Sequence, residues 1–332
     1  MTAFPSAPPR PLRKDGAEGS TRRVLDEWRD HAFRAVALAA GLSVLTILAL
    51  IAFVTTRQAW PIFHKEGLRF VTQTTWDPAH ENFGALSFIY GTAVSSAIAI
   101  AFAIPLSLGI ALFTTELAPR RWRRPVVYLV DLLAAIPSVV YGLWALAVLK
   151  NPAQHFYQHI ANTIGKVPGL SRLFGGQAQG ASFFTAGLVL AVMITPIITA
   201  ISREVFSTIP QDDKNAALAM GATRWEMLRA TVFPRARSGI VGAVMLGLGR
   251  ALGETILVAL IIGSNHQITS HLFKPGDSLA AVIAHEFGEG SGDPTYRAAL
   301  IGLAVLLFVF TIVINVAARA IANRSVHAGS NA

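Results

Sequence analysis

The 332-residue chain contains no cysteine. Disulfides, thiolate metal sites and cysteine nucleophiles are excluded, and the redox compartment cannot be read from thiol usage. Charge is scarce as well. Asp, Glu, Lys and Arg make up 14% of the residues, against about 25% in a typical soluble domain. No Gly-x-x-x-x-Gly-Lys-Ser/Thr segment is present, so the chain has no Walker A site of its own. No His-Glu-x-x-His or paired-aspartate protease pattern occurs either, and the reading is that the chain is not an enzyme. His155 and His159 have helical spacing, but without a third ligand they make a poor metal site.

What is abundant is apolar sequence. Hydrophobic residues account for 53%, and the mean hydropathy is +0.50. The apolar residues fall in six runs, about 35–56, 86–114, 125–149, 181–203, 238–262 and 298–318. Each approaches or exceeds the roughly 20 residues that cross a bilayer core as a helix. An isolated strand cannot satisfy its backbone in lipid, so the expected fold is an all-α integral membrane protein with six transmembrane helices. Pro105, Pro137 and Pro196 lie inside three of these runs, where each can bend a helix.

The net charge of +9 is distributed around the spans, which argues against nucleic acid as a partner. Nineteen Lys and Arg residues fall on one side of the six expected spans and eight on the other. The richer side is read as cytoplasmic, with both termini there. Residues 1–34 form a polar leader before the transmembrane domain at 35–320, and residues 321–332 form a tail. The leader is not read as a cleavable signal. Its first 23 residues, rich in proline and charge, are expected to be disordered. Residues 24–34 fit either an interfacial helix or a polar extension of the first span. The three outer connections, about 57–85, 150–180 and 263–296, are too short for independent domains.

The inner connection at 206–237 carries local signals. Asp212 and Asp213 suit a helix N-terminus. A short helix-forming stretch follows and ends at Gly221. Thr223 with Glu226 three residues on is a capping box, and Pro234 is expected to stop or kink the second helix. The product is two short helices on the cytoplasmic face, with Ala216, Ala217 and Met220 as a small apolar surface that suits either a lid over the bundle or docking on a partner.

The remaining feature is GRALGE, residues 249–254, inside the fifth run. At 1.5 Å per residue from Ser238, Arg250 lies about 18 Å and Glu254 about 24 Å along the helix. Charges at that depth cost roughly 2.5–3.5 kcal/mol each and should face inward. On one continuous helix, i and i+4 share a face, so Arg250 and Glu254 can pair. Two readings stay open. Arg250 meets an oxyanion with its planar fork, or the pair is a structural bridge between helices. Gly249 and Gly253 form a small-x-x-x-small pattern for close approach of a second helix. Asp131 is read as interfacial or packing.

Several of these segments resemble one family. Asn215-Ala216-Ala217, then Gly221 and Pro234 at its spacing, resemble the ATPase-coupling loop of ABC importer permeases. That pattern is Glu-Ala-Ala, three residues, Gly, nine residues, Ile-x-Leu-Pro, and here Asn215, Thr231 and Phe233 replace Glu, Ile and Leu. LLAAIPSVVYGLWAL (132–146), GRALGETILVALIIG (249–263) and the last apolar segment are similar to the C-type permease of phosphate importers, over about residues 86–320. The resemblance implies a type I (MetI-like) permease fold in the bacterial inner membrane. It implies an A-type sister permease, two ATPase subunits carrying ATP and Mg, and an extracytoplasmic phosphate-binding protein. The chain itself then binds no cofactor or metal. Arg250 and Glu254 would line the substrate pathway, and Asn215, Ala216, Ala217, Gly221 and Pro234 would form the coupling element. Phosphate rests on the resemblance. Sulfate or molybdate, and a secondary anion transporter, are the alternatives.

Overall fold

The computed structural model describes the backbone of residues 18–328 and the side chains of 30–320 apart from Ser291. The chain divides into two units, residues 1–54 and 55–332. In order, the helices are α1 (Glu18–Glu66), α2 (Arg69–Thr72), α3 (Leu86–Leu112), α4 (Arg120–Ala135), α5 (Ser138–Trp144), α6 (Lys150–Thr163) and α7 (Ser171–Phe174). They continue as α8 (Phe183–Ser207), α9 (Gln211–Ala219), α10 (Arg224–Met227), α11 (Phe233–Leu252), α12 (Ile256–Ile261), α13 (Leu279–Glu286) and α14 (Pro294–Ala328). A two-residue antiparallel pair, β1 (Trp76–Asp77) and β2 (Asn82–Phe83), lies before α3.

The first unit is the N-terminal part of α1. Its apolar residues, among them Phe33, Leu42, Leu45 and Phe53, are exposed, as a lipid-facing span requires. Residues 18–23, expected to be disordered, are helical and continuous with the span. Once a long apolar span has nucleated a helix, adding residues is easy, and this stretch contains no proline to stop it. Residues 1–17 and 329–332 lie outside the described residues.

In the second unit, α3 and α8 form the centre. Gly91, Ser95, Ala99, Ala103, Ser107 and Ala111 recur every fourth residue along α3, and all are buried. Small side chains at that spacing let a neighbouring helix approach closely. Gly187 of α8 meets this side of α3, since a Cβ there would lie 2.5 Å from Ile98 Cγ2. Ser107 Oγ donates to the Thr195 carbonyl at 3.1 Å, and Thr199 Oγ1 donates to the Ser107 carbonyl at 3.5 Å. Pro105 and Pro196 lie within continuous helices.

Four described helical segments are long and apolar enough to span a membrane: 30–66, 86–117, 183–207 and 294–320. Two expected spans differ from simple helices. The run at 125–149 is divided between α4 and the helix starting at Ser138, with a 91° bend. Counted as one span, this pair makes five. Pro137 causes the break. Ile136 before it is extended (φ −71°, ψ 126°), as a residue preceding proline prefers. Pro137 has no N–H to give to the Leu133 carbonyl four residues back. Tyr141 supplies a donor in its place, with its hydroxyl 2.7 Å from that oxygen. The run at 238–262 is interrupted at Gly253–Thr255 into α11 and the six-residue α12. Four or five of the six expected spans are thus membrane-length in the described residues, and the run at 238–262 is a broken helix outside that set.

Candidate functional site

The 206–237 connection folds largely from its local signals. α9 begins after Pro210 with Asp212 and Asp213 in its first turn. Gly221 has φ +87°, a left-handed conformation that favours glycine. Thr223 and Glu226 form the reciprocal capping box. The Thr223 N–H and hydroxyl that Glu226 accepts hold its carboxyl below the usual carboxylate range. One expectation fails here. Pro234 does not end the second helix. α10 runs through a π-helical turn at Leu228–Val232 directly into α11. The wider turn admits the proline ring without breaking the rod. The second short helix is thus the first part of a long one, and α9 alone is a separate short helix.

Asn215, Ala216, Met220 and Gly221 are exposed, with Met220 at 89%. Trp225 is 62% exposed beside them. Ala217 turns inward against a core of Ala111, Leu112, Phe206, Ile209, Met227, Leu228, Val232 and Ala236. The exposed face is an apolar projection on a packed base. Lys214, unnoticed in the sequence, is buried and bonds Glu116 at 2.6 Å.

α11 shows two faces. Ala236, Ala243 and Gly247 are buried. A Cβ on Gly239 would meet Val205 at 2.4 Å, and one on Gly247 would meet Ile198 at 2.7 Å, so this face packs on α8. Gly242, Leu246, Gly249 and Gly253 share another stripe. Gly242 has nothing within 4 Å of an added Cβ, Gly249 only Asn315 at 4.0 Å, and Gly253 only the Gly249 carbonyl at 3.6 Å. Among the described residues, no helix packs closely on the small-residue pattern at 249 and 253.

Arg250 and Glu254 do not share a helix face. α11 ends at Leu252, and Glu254 lies in the connection to α12. Among the described residues neither makes an ion pair. The i, i+4 reading assumed an unbroken helix. The helix instead ends at Leu252, with the Gly253 N–H bonded back to the Gly249 carbonyl at 3.3 Å. Arg250 is exposed in the last turn of α11, where carbonyl ends favour a cation. It opens into a groove of about 880 Å³ between α11 and α14, lined also by Gly242, Met245, Leu246, Gly249, Asn315 and Arg319. Asn315 and Arg319 are one turn apart on α14, so two guanidiniums and an amide border one groove. A sequence signal for Asn315 existed, as a lone amide in an apolar span. Arg319 read only as a flanking charge.

A second polar group ties the 263–278 loop to the helices. His266 Nε2 lies 3.6 Å from Asp277 Oδ2 and 3.5 Å from Glu286 Oε1. Glu286 Oε2 accepts from Trp76 Nε1 at 2.8 Å and from the Tyr296 hydroxyl at 2.6 Å. The Asp277 carboxylate holds the His266 imidazole above its ordinary range, against the opposing effect of burial.

Comparison with known proteins adds the following. Residues 103–327 match the family described as binding-protein-dependent transport system inner membrane component. The chain is 44% identical over 310 residues to the phosphate transport system permease protein PstC of Mesorhizobium japonicum, covering 93% of this chain and 94% of that protein. It is 42% identical to PstC of Haemophilus influenzae, covering 88% of this chain and 92% of that one. Among solved structures, it resembles a bacterial alginate ABC transporter, with a TM-score of 0.60, 17% identity, and coverage of 90% and 98%. That likeness concerns the fold alone. With a mostly helical fold and matches across nine-tenths of its length, the chain belongs to the binding-protein-dependent inner membrane transport components, among the phosphate transport system permeases.

Proposed function

We propose that this chain is one permease of an ATP-driven importer and forms, with an A-type sister permease, the pathway for inorganic phosphate into the cytoplasm. The observation that carries the reading is Arg250. It is a guanidinium in an apolar span, without an ion-pair partner among the described residues, opening into the groove shared with Asn315 and Arg319. A guanidinium keeps its charge and offers paired donors that fit a phosphate oxyanion. Glu254, at the break above α11, limits how tightly an anion is held there. The groove is half of a pathway, and the glycine stripe that lines its α11 wall and runs on to Gly253 is the seam with the sister permease.

The excess of Lys and Arg on one side supports a cytoplasmic position for α9 and both termini. There the exposed face around Met220 docks on a partner ATPase, one of two that carry ATP and Mg. An extracytoplasmic phosphate-binding protein delivers the anion on the opposite side. Uptake of radiolabelled phosphate in cells lacking the chain tests the substrate. Restoring the chain should restore ATP-dependent uptake that excess sulfate or molybdate does not inhibit. Equal competition by either oxyanion would reject phosphate as the cargo.

The docking role has its own test. Gly221 needs φ +87°, and its N–H donates to the Leu218 carbonyl at 3.0 Å. Proline meets neither condition, since its φ is held near −65° and it has no N–H. Gly221→Pro should leave the chain inserted while lowering phosphate imported per ATP hydrolysed by about tenfold or more. Measuring both rates in proteoliposomes checks this, and an unchanged ratio would remove the coupling assignment.

A further inference from the structure

Lys214 is the anomaly of the docking helix. Its neighbours along α9 are exposed or half-buried, yet its side chain is 6% exposed and its Nζ lies 2.6 Å from Glu116 Oε1. The Glu116 side chain is 10% exposed. Glu116 sits in the π-helical turn Phe113–Leu117 that ends α3, 98 residues away in sequence. That turn is held by hydroxyls. Thr114 Oγ1 donates to the Ile110 carbonyl at 2.8 Å, and Thr115 Oγ1 donates to the Ala111 carbonyl at 3.0 Å. The residue before Lys214 reaches elsewhere. Asp213 pairs with Arg235, near the start of α11. Two consecutive residues of α9 thus grip two different helices.

The rest of the α9 base is apolar, chiefly Ala217 on the core below it. Apolar contacts are non-directional and let a short helix slide or roll. A short charge-assisted bond fixes distance and angle. Taking both ions out of water is costly, and a buried pair is often no more stabilising than apolar residues of the same size. Stability alone therefore gives little reason to bury a lysine at this position. Breaking the pair, in contrast, leaves a charge stranded and is strongly unfavourable. Such a contact resists separation while adding little net stability, which is the behaviour of a mechanical link.

We propose that the Lys214–Glu116 pair is the strut through which displacement of α9 is delivered to α3, and through α3 to the helix packed on it, α8. Lys214 and Glu116 are then positioning residues of the transport cycle. The inference rests on the reading of α9 as the ATPase-docking element. Asp213 and Arg235 form a parallel, more exposed link to α11, the helix that carries Arg250. The buried link carries the larger load because solvent and salt screen the exposed one.

The test uses the full transporter in proteoliposomes, recording complex yield, ATP hydrolysis and phosphate import. Four variants are compared: Glu116→Gln, Lys214→Met, the charge exchange Glu116→Lys with Lys214→Glu, and the apolar pair Glu116→Leu with Lys214→Met. The single variants should hydrolyse ATP within about twofold of the parent but import about tenfold less phosphate per ATP. The charge exchange should regain much of the ratio. The apolar pair should assemble normally, since it strands no charge, and still show the lowered ratio. That last result separates a strut from simple packing, because packing is restored and the rigid bond is not. An apolar pair coupled like the parent overturns the proposal. So does a charge exchange that assembles but couples no better than the single changes, or one that fails to assemble while the apolar pair succeeds. If import by the parent complex proves independent of ATP, the functional reading fails instead.

Discussion

Arg250→Gln is expected to reduce phosphate uptake by about 30-fold or more, the loss of one charge-assisted contact of roughly 2 kcal/mol. The chain should insert at least as well as the parent, because the substitution removes a charge from an apolar span. It should also fold, since Arg250 is exposed and has no ion pair to lose among the described residues. Arg250→Lys should recover little, because a point charge lacks the planar fork. Glu254→Gln should impair uptake less than Arg250→Gln does. With Arg250 in α11 and Glu254 in the break that follows it, and no ion pair between them, neutralising one does not strand the other. Uptake and co-purification of the sister permease are measured together. A pathway role predicts lost uptake with retained co-purification. If Arg250 instead bridges to a residue of the sister permease, Arg250→Gln should reduce co-purification. Neutralising that sister residue as well, in a double variant, should then restore co-purification and transport better than the single change at 250, as no unpaired charge remains. A double variant with near-normal uptake would sink the substrate contact.

What the sequence made legible divides by range. The α9 to α10 connection was readable because its signals are local. Gly221, the capping box and the acidic first turn each act within four residues. Pro234 misled because its effect depends on the backbone before it, and a single π turn converts a stop into a continuous helix. GRALGE misled for a related reason. Glycines four apart read as close packing, but Gly253 also ends α11, and the break separates the two charges that the spacing had paired. The bend at Pro137 was visible as a possible kink, while nothing local in the sequence states its 91° size. The Lys214–Glu116 pair spans 98 positions, and nothing local marks either residue as buried. Arg319 likewise joins Arg250 only once α11 and α14 lie side by side.

The glycines of α11 lead to the second large effect, because its two faces should fail in different ways. At Gly247 a new Cβ would lie 2.7 Å from Ile198 Cδ1 and Cγ1, and Ile198 is itself fully buried in the central core. Gly247→Leu adds a whole side chain there. Overpacking of that kind costs about 1–3 kcal/mol or more, so the yield of folded chain should drop even when it is expressed alone. At Gly253 the nearest atom to a new Cβ is the Gly249 carbonyl at 3.6 Å, an ordinary contact, and the backbone (φ −93°, ψ 2°) accepts any side chain. Gly253→Leu should therefore leave the isolated chain as stable as the parent while preventing close approach of the sister helix. The expected pattern is normal insertion, little co-purified sister permease and little phosphate uptake. Glycine-to-alanine at 253 should be intermediate, since one methyl separates the helices less than an isobutyl group does. Thermal stability of the isolated chain, read beside co-purification, distinguishes the two faces. If Gly253→Leu pairs and transports like the parent, the stripe faces lipid and the seam between the permeases lies elsewhere on the bundle.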